Sequence, residues 1–195
     1  MISEIEVYAK ENNIPIMMKD GIEYLCKYIK DNNIKSILEI GSAIGYSSIM
    51  MALVDDSVRV TTIEKDKERY DMAISNINKF NLSNRINILN EDALVSNIND
   101  KFDLIFIDAS KGNNINFFNK YKDNLNKNGV IVTDNLSFHG LVEDSSLIET
   151  KNQRGLVNKI KNYLEFLDNN NEFSTTYVSV GDKISISVRK EGNYE

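Results

Sequence analysis

From Ser36 onward the chain alternates short apolar runs with longer amphipathic stretches, and this alternation limits the fold more than any other feature. The runs are Ser36–Ile40, Val58–Ile63, Ile86–Leu89, Leu104–Ile107 and Val130–Thr133. Between and after them, apolar residues recur at helical spacing over Ser47–Val54, Asp66–Phe80, Ile115–Leu125 and Gln153–Leu167. Strand and helix taking turns along a chain imply a mostly parallel sheet with helices on both faces. Leu104–Ile107 is nearly all apolar, as a central strand covered on both faces must be. Gly129 precedes Val130–Thr133 as a turn residue. Two last strands, Phe173–Val180 and Lys183–Arg189, are joined by Gly181-Asp182 and are expected to form an antiparallel hairpin.

The residues before Ser36 read differently. Residues 1–33 form two helices interrupted at Asn12-Asn13-Ile14-Pro15, because a proline drives its predecessor towards an extended conformation. Ile22, Leu25, Tyr28 and Ile29 give the second helix its apolar face, and Cys26 falls in that pattern as a small buried hydrophobe. A lone cysteine makes no internal disulfide. With 195 residues, no internal repeat and no linker, residues 1–195 are expected to be one domain: N-terminal helices over 1–33 and a core over 34–195. A net charge of −6 argues against indiscriminate nucleic-acid binding, which relies on Lys and Arg neutralising phosphates, though not against a local basic patch. No apolar run has the roughly 20 residues a membrane span needs. The charged N-terminus lacks a signal peptide's apolar stretch, so a cytoplasmic location is expected.

Parallel sheets bind ligands at the carboxyl ends of their strands, near the point where strand order reverses. The first run ends in Glu39-Ile40-Gly41-Ser42-Ala43-Ile44-Gly45-Tyr46-Ser47. Glycines at such a turn let a ligand approach the backbone, and the following helix offers free amides. The spacing is GxxxG, not the GxGxxG of dinucleotide enzymes. Glu39 would repel a pyrophosphate but suits a cationic group such as the amine of a methionine moiety. Glu64, followed by Lys65, is placed to bond ribose hydroxyls or is a surface carboxylate opening a helix. Asp92 is a helix cap or an acceptor for the amine of adenine. Glu39, Glu64 and Asp92 close three successive strands, and the recurrence outweighs each one alone.

The fourth and fifth runs lead into Asp108-Ala109-Ser110-Lys111-Gly112 and Asp134-Asn135. Asp108 and Asp134 lie 26 positions apart, the length of one βαβ unit, so adjacent strands would bring both carboxylates and the Asn135 amide to one edge. That all-oxygen set suits Mg²⁺, with Mn²⁺ or Ca²⁺ as alternatives, and not zinc. The competing reading is a strand-end cap and a turn.

These residues carry a resemblance. The segments EIGSAIGYSS, TIEKD, EDA, FIDASKG and VTDNLSFHG, in order over Ile37–Val142, resemble the cation-dependent class I O-methyltransferases, the group of catechol and caffeoyl-CoA O-methyltransferases. The tail Asn152–Lys190 matches more loosely, through VGDKISISV. Within the group, ENNIPIMMKDGIEYL, the IDASKG loop and VGDKISIS look most like bacterial tRNA 5-hydroxyuridine methyltransferases, which make 5-methoxyuridine at the wobble position. The resemblance implies a Rossmann-like α/β fold, a seven-stranded mostly parallel sheet with a C-terminal antiparallel hairpin and N-terminal helices. It implies S-adenosylmethionine as donor, contacted by Ile16, Met17, Glu39, Gly41, Ala43, Ser47, Glu64, Lys65, Asp92, Ala93 and Asp108. It implies a divalent metal held by Asp108, Asp134 and Asn135, Lys111 as general base, and a homodimer.

The acceptor expected is then 5-hydroxyuridine in a tRNA anticodon loop, with a small catechol-like molecule as the alternative; both offer two adjacent oxygens to one metal. Candidate substrate contacts are His139, standing where tRNA-modifying relatives often carry arginine, and Arg154, expected in a loop at the site's mouth. Lys151, Lys159 and Lys161 either meet phosphates beside Arg154 or form a solvated helix face. Asn90 replaces the glycine usual before the third acidic position and is expected to narrow the adenine pocket. His139 has no evident acid–base partner in the sequence. A donor-binding protein without catalysis is the rival from another class, and a nicotinamide dehydrogenase is disfavoured by GxxxG and Glu39.

Overall fold

The structure, a computed structural model, describes residues 1–192, and of Lys111 the backbone alone. The elements in chain order are α1 (Ile2–Glu11), α2 (Lys19–Asp31), β1 (Ser36–Ile40), α3 (Tyr46–Ala52), β2 (Arg59–Ile63), α4 (Lys67–Lys79), β3 (Ile86–Leu89), β4 (Phe102–Ile107), α5 (Asn114–Tyr121), β5 (Leu125–Thr133), α6 (Lys151–Asp168), β6 (Phe173–Val178) and β7 (Ile184–Arg189). The strands form one sheet in the order β3-β2-β1-β4-β5-β7-β6. The first five are parallel, and β7 runs antiparallel to both β5 and β6. Strand order reverses between β1 and β4, so the crevice expected to bind ligand opens there.

The pleat divides the core. Leu104 and Phe106 of β4 join Ile22, Leu25 and Ile49 on the face covered by α1 to α4. Ile105 and Ile107 join Phe118, Ile160 and Tyr163 on the face covered by α5 and α6. All four β4 residues are at most 1% exposed, as a strand covered on both faces requires. Edge-to-face rings tie α5 to β6, with Phe118 and Phe173 centroids 5.0 Å apart. Burying a side chain of this size contributes on the order of 2–3 kcal/mol.

Several boundaries differ from those expected. The helix placed at Gln153 begins at Lys151, because Thr150 and Gln153 close a reciprocal capping box ahead of the apolar pattern. Arg154 therefore sits in the first turn of α6, not in a loop. The last two strands are joined by five residues, 179–183, since Val178 pairs with Ile184. Gly129 is no turn residue: β5 starts at Leu125, bulges against β4, and has no room for a side chain at 129, where a Cβ would stand 2.9 Å from Leu125 Cδ2 and 3.0 Å from the Phe102 carbonyl. Among the described residues no helix is long and apolar enough to cross a membrane.

Candidate active site

The strand ends β1, β2, β3 and β4 meet at a cavity of about 340 Å³. The β1–α3 loop makes its floor. Gly41 and Gly45 are left-handed, at φ 95° and 83°, and so is Ala43 at 46°. A Cβ at Gly41 would fall 2.6 Å from the Asp108 carbonyl, so only glycine lets β1's loop pass under β4's end. Behind the loop Asn76 of α4 donates to the Ile44 carbonyl at 2.9 Å.

The carboxylate of Glu64 organises the neighbouring edge. It accepts from the Ala43 amide at 2.9 Å and from the Asp66 amide at 2.8 Å, which joins β2 to the glycine loop. Asp92 accepts from the Leu94 amide at 2.9 Å. Asn90 does not line the cavity: its amide turns back to the Glu64 carbonyl at 2.9 Å, so the expected narrowing does not occur.

Ile16, Met17, Gly41, Ala43, Ser47, Glu64, Lys65, Asp92, Ala93 and Asp108 all line this one cavity. Glu39 does not. It is fully buried behind the wall and accepts from the hydroxyls of Ser47 and Ser48. Burial pushes its carboxyl above the usual carboxylate range, against the pull of those two hydroxyls. Ser47 lines the cavity, so Glu39 faces the site through Ser47 instead of meeting an amine directly.

At the opposite end β4 and β5 run side by side, with Ile107 paired to Thr133. The Asp134 amide donates to the Ile107 carbonyl at 3.2 Å, which sets Asp134 and Asp108 on neighbouring strand ends. Asn135, at φ 66°, brings its amide to 2.6 Å from Asp108 Oδ1. Asp108 and Asn135 line the cavity, and Asp134 is buried beside them, 4% exposed. No three His, Cys, Asp or Glu side chains converge on a metal site among the described residues. Two carboxylates and an amide oxygen still make a hard donor set that fits a divalent cation, once the Asn135 amide turns its oxygen inward; oxygen and nitrogen of such an amide differ only by that half-turn.

Lys111 opens a short 3-10 turn, Lys111–Asn113, beside Asp108; its side chain lies outside the described residues. His139 and Arg154 do not line the cavity. His139 does have a neighbour, for its Nδ1 lies 4.0 Å from buried Asp182, while its own side chain is 72% exposed. Lys151, Arg154, Lys159 and Lys161 are all exposed on α6. Cys26 is half-buried, its thiol donating to the Met50 carbonyl at 3.5 Å.

The cavity also has walls the motifs did not announce. Tyr46 lies on it and donates its hydroxyl to Glu6 of α1 at 2.8 Å. Burial and then Glu6 raise its phenol above the ordinary range. Arg69, in the first turn of α4, and Phe117 of α5 complete the wall. Tyr46 stood in plain view inside the glycine motif, whereas Arg69 and Phe117 become visible only when helix phase and strand order are known.

A family model described as O-methyltransferase matches residues 2–190. The chain belongs to the O-methyltransferase family. Caffeoyl-CoA O-methyltransferase of Populus kitakamiensis is 26% identical over 192 residues, 93% of this chain and 81% of that protein. A Staphylococcus aureus crystal structure provisionally named a caffeoyl-CoA O-methyltransferase superposes with a TM-score of 0.92 at 35% identity, over 97% of this chain and 92% of the other. An O-methyltransferase of Bacillus cereus, crystallised with S-adenosylhomocysteine, gives 0.81 at 28% identity, over 97% and 90%. The seven-stranded Rossmann-like fold is thus that of known O-methyltransferases.

Proposed function

We propose that this enzyme transfers a methyl group from S-adenosylmethionine to one of two adjacent oxygens on a small catechol-like acceptor. The observation that carries the reading is one continuous cavity. The glycine loop, Glu64 and Asp92 line one end; Asp108 and Asn135, with Asp134 behind, stand at the other.

Each end has a task. Glu64 retains acceptor capacity for ribose hydroxyls, Asp92 for the adenine amine, and the loop's left-handed residues keep side chains out of the donor's path. Methyl transfer from a sulfonium is an in-line displacement: the S–CH₃ bond breaks as the O–CH₃ bond forms, the sulfur keeps the electron pair, and the acceptor hydroxyl gives up its proton. The donor arrives activated, so the protein positions the acceptor and takes that proton. Asp108, Asp134 and Asn135 would hold a divalent cation, which supplies the charge that favours an ionised, oriented hydroxyl. Lys111, beside Asp108 in the chain, is assigned the proton.

A small acceptor fits better than the tRNA expected from the resemblance. Relatives carry caffeoyl-CoA names, and neither Arg154 nor His139 reaches the cavity. The deciding experiment offers purified protein, Mg²⁺ and radiolabelled donor to caffeic acid and, separately, to tRNA rich in 5-hydroxyuridine. Label on caffeic acid alone supports the proposal; label on tRNA alone overturns it.

A further inference from the structure

The five-residue turn between β6 and β7 touches the segments that flank both ends of the cavity. Its Asp182 is 4% exposed. Asp182 Oδ1 accepts from the His139 amide at 2.6 Å, and its carbonyl accepts from the Ser137 amide at 2.9 Å. The Lys183 carbonyl accepts from the Leu136 amide at 3.1 Å. The stretch following Asn135 is therefore strung along this turn.

That stretch adopts a conformation L residues avoid. Phe138, His139 and Gly140 are left-handed in succession, at φ 51°, 57° and 85°, close after Asn135 at 66°. Such a run persists only where the surroundings impose it. Inside the loop Ser137 Oγ accepts from the Gly140 amide at 3.0 Å. From outside, the Asp182 side chain bonds its backbone. The other carboxylate oxygen, Oδ2, is buried with no hydrogen-bond partner among the described residues, so no second bond there fixes the carboxylate. On its far side the turn is anchored too. The Gly181 amide donates to Asp20 Oδ2 at 2.9 Å, and a Cβ on Gly181 would come within 3.2 Å of the Gly21 Cα.

We propose that Asp182 is a positioning residue for the acceptor. By holding the His139 amide it fixes the left-handed segment, and through that segment the Asn135 side chain at the acceptor end. It touches neither donor nor acceptor. The inference rests on the proposed reading of Asp108 and Asn135 as the acceptor end.

The test compares full-length wild type, Asp182→Ala and Asp182→Asn. Three quantities are read: hydrogen exchange over residues 136–142, the affinity for S-adenosylhomocysteine by calorimetry, and KM and kcat with caffeic acid. In Asp182→Ala, exchange over 136–142 is expected to rise about tenfold as the segment opens locally. KM for caffeic acid should rise about tenfold, more than kcat falls, while product affinity stays within about twofold. Asp182→Asn keeps an accepting oxygen and should recover most of both losses. Should Asp182→Ala not fold, Asp182→Ser, whose hydroxyl is too short to reach the amide, takes its place. Unchanged exchange in the folded variant, or an equal loss of product affinity, overturns the inference. If wild type leaves caffeic acid unmethylated, the functional reading fails, and exchange with product affinity still decides the role of Asp182.

Discussion

At the donor end, the glycine loop is tied to its neighbours from three sides: Glu64 reaches over from β2, Asn76 from α4, and Glu39 holds Ser47 from beneath. At the acceptor end, Asn135 beside Asp108 is followed by irregular chain whose left-handed residues lean on a turn some forty positions later. One end is built by strand ends that the sheet itself aligns; the other adds to its own strand ends a segment shaped by a distant hairpin. Donor geometry is thus a property of the sheet and its loop, and acceptor geometry depends also on contacts with a turn distant in the sequence. Donor binding and acceptor choice can then vary independently within one scaffold.

The largest expected effect separates the two ends. Asp134→Ala should lower methyl transfer by roughly a hundredfold or more, since it removes part of the donor set proposed to hold a divalent cation, while S-adenosylhomocysteine affinity changes little. Chelation of Mg²⁺ in wild type should mimic it, and a turnover assay beside calorimetry checks both. A parallel loss of product affinity would break the division between the ends.

Gly41→Ala attacks the other side. The new Cβ meets the Asp108 carbonyl at 2.6 Å in a backbone left-handed at φ 95°, so a destabilisation of about 1–3 kcal/mol is expected. Calorimetry should show weaker product binding and a melt should show a lower Tm.

Glu39 gives a pH test of the donor end. Its folded-state pKa is raised, chiefly by burial, so the folded chain holds that proton more tightly than the unfolded chain does. Its contribution is full below the unfolded value of about 4.3 and is lost as pH rises through the folded value. Glu39→Gln cannot ionise. Its Tm should therefore fall less steeply than that of wild type as pH rises from the unfolded value, in a series of melts.

The smallest effects lie away from both ends. Thr150→Ala removes the hydroxyl that caps α6 and should cost about 1 kcal/mol without altering product affinity. Cys26, whose thiol burial and then Glu23 push up to about 11, should resist alkylation at pH 8 until the chain is unfolded, as a thiol count in denaturant will show.

What could be read in the residue order follows the same division. The donor end was legible because each contributor sits at the carboxyl end of its own apolar run, Glu64 after β2 and Asp92 after β3, as Asp108 does after β4 at the acceptor end. A sheet with period-2 strands leaves them nowhere else to go. Glu39 obeyed the same rule of position but not of role, since adjacent serines at 47 and 48 satisfied its carboxylate first. Arg154 and His139 were harder. A capping box moved Arg154 into a helix, and His139 found Asp182 only because β7 inserts between β5 and β6. Strand order of that kind depends on pairing between segments far apart in the chain, which no local pattern encodes. Phe117 and Arg69 needed the phase of two helices against a sheet whose reversal point was not yet located.

The insertion of β7 between β5 and β6 has a consequence for synthesis. β5 can pair with β4 as soon as both have emerged, but its other edge stays bare until the final strand arrives, and that strand ends at Arg189. At ribosomal speeds of 5–20 residues per second the 56 residues after Thr133 take roughly 3 to 11 s. For that interval the nascent chain displays an open strand edge, apolar at Val130, Ile131 and Val132, of the kind that invites pairing with other chains. The donor loop can already be complete while the acceptor end still waits for its turn, so this protein would acquire the capacity to bind its methyl donor before it acquires a place to deliver the methyl group.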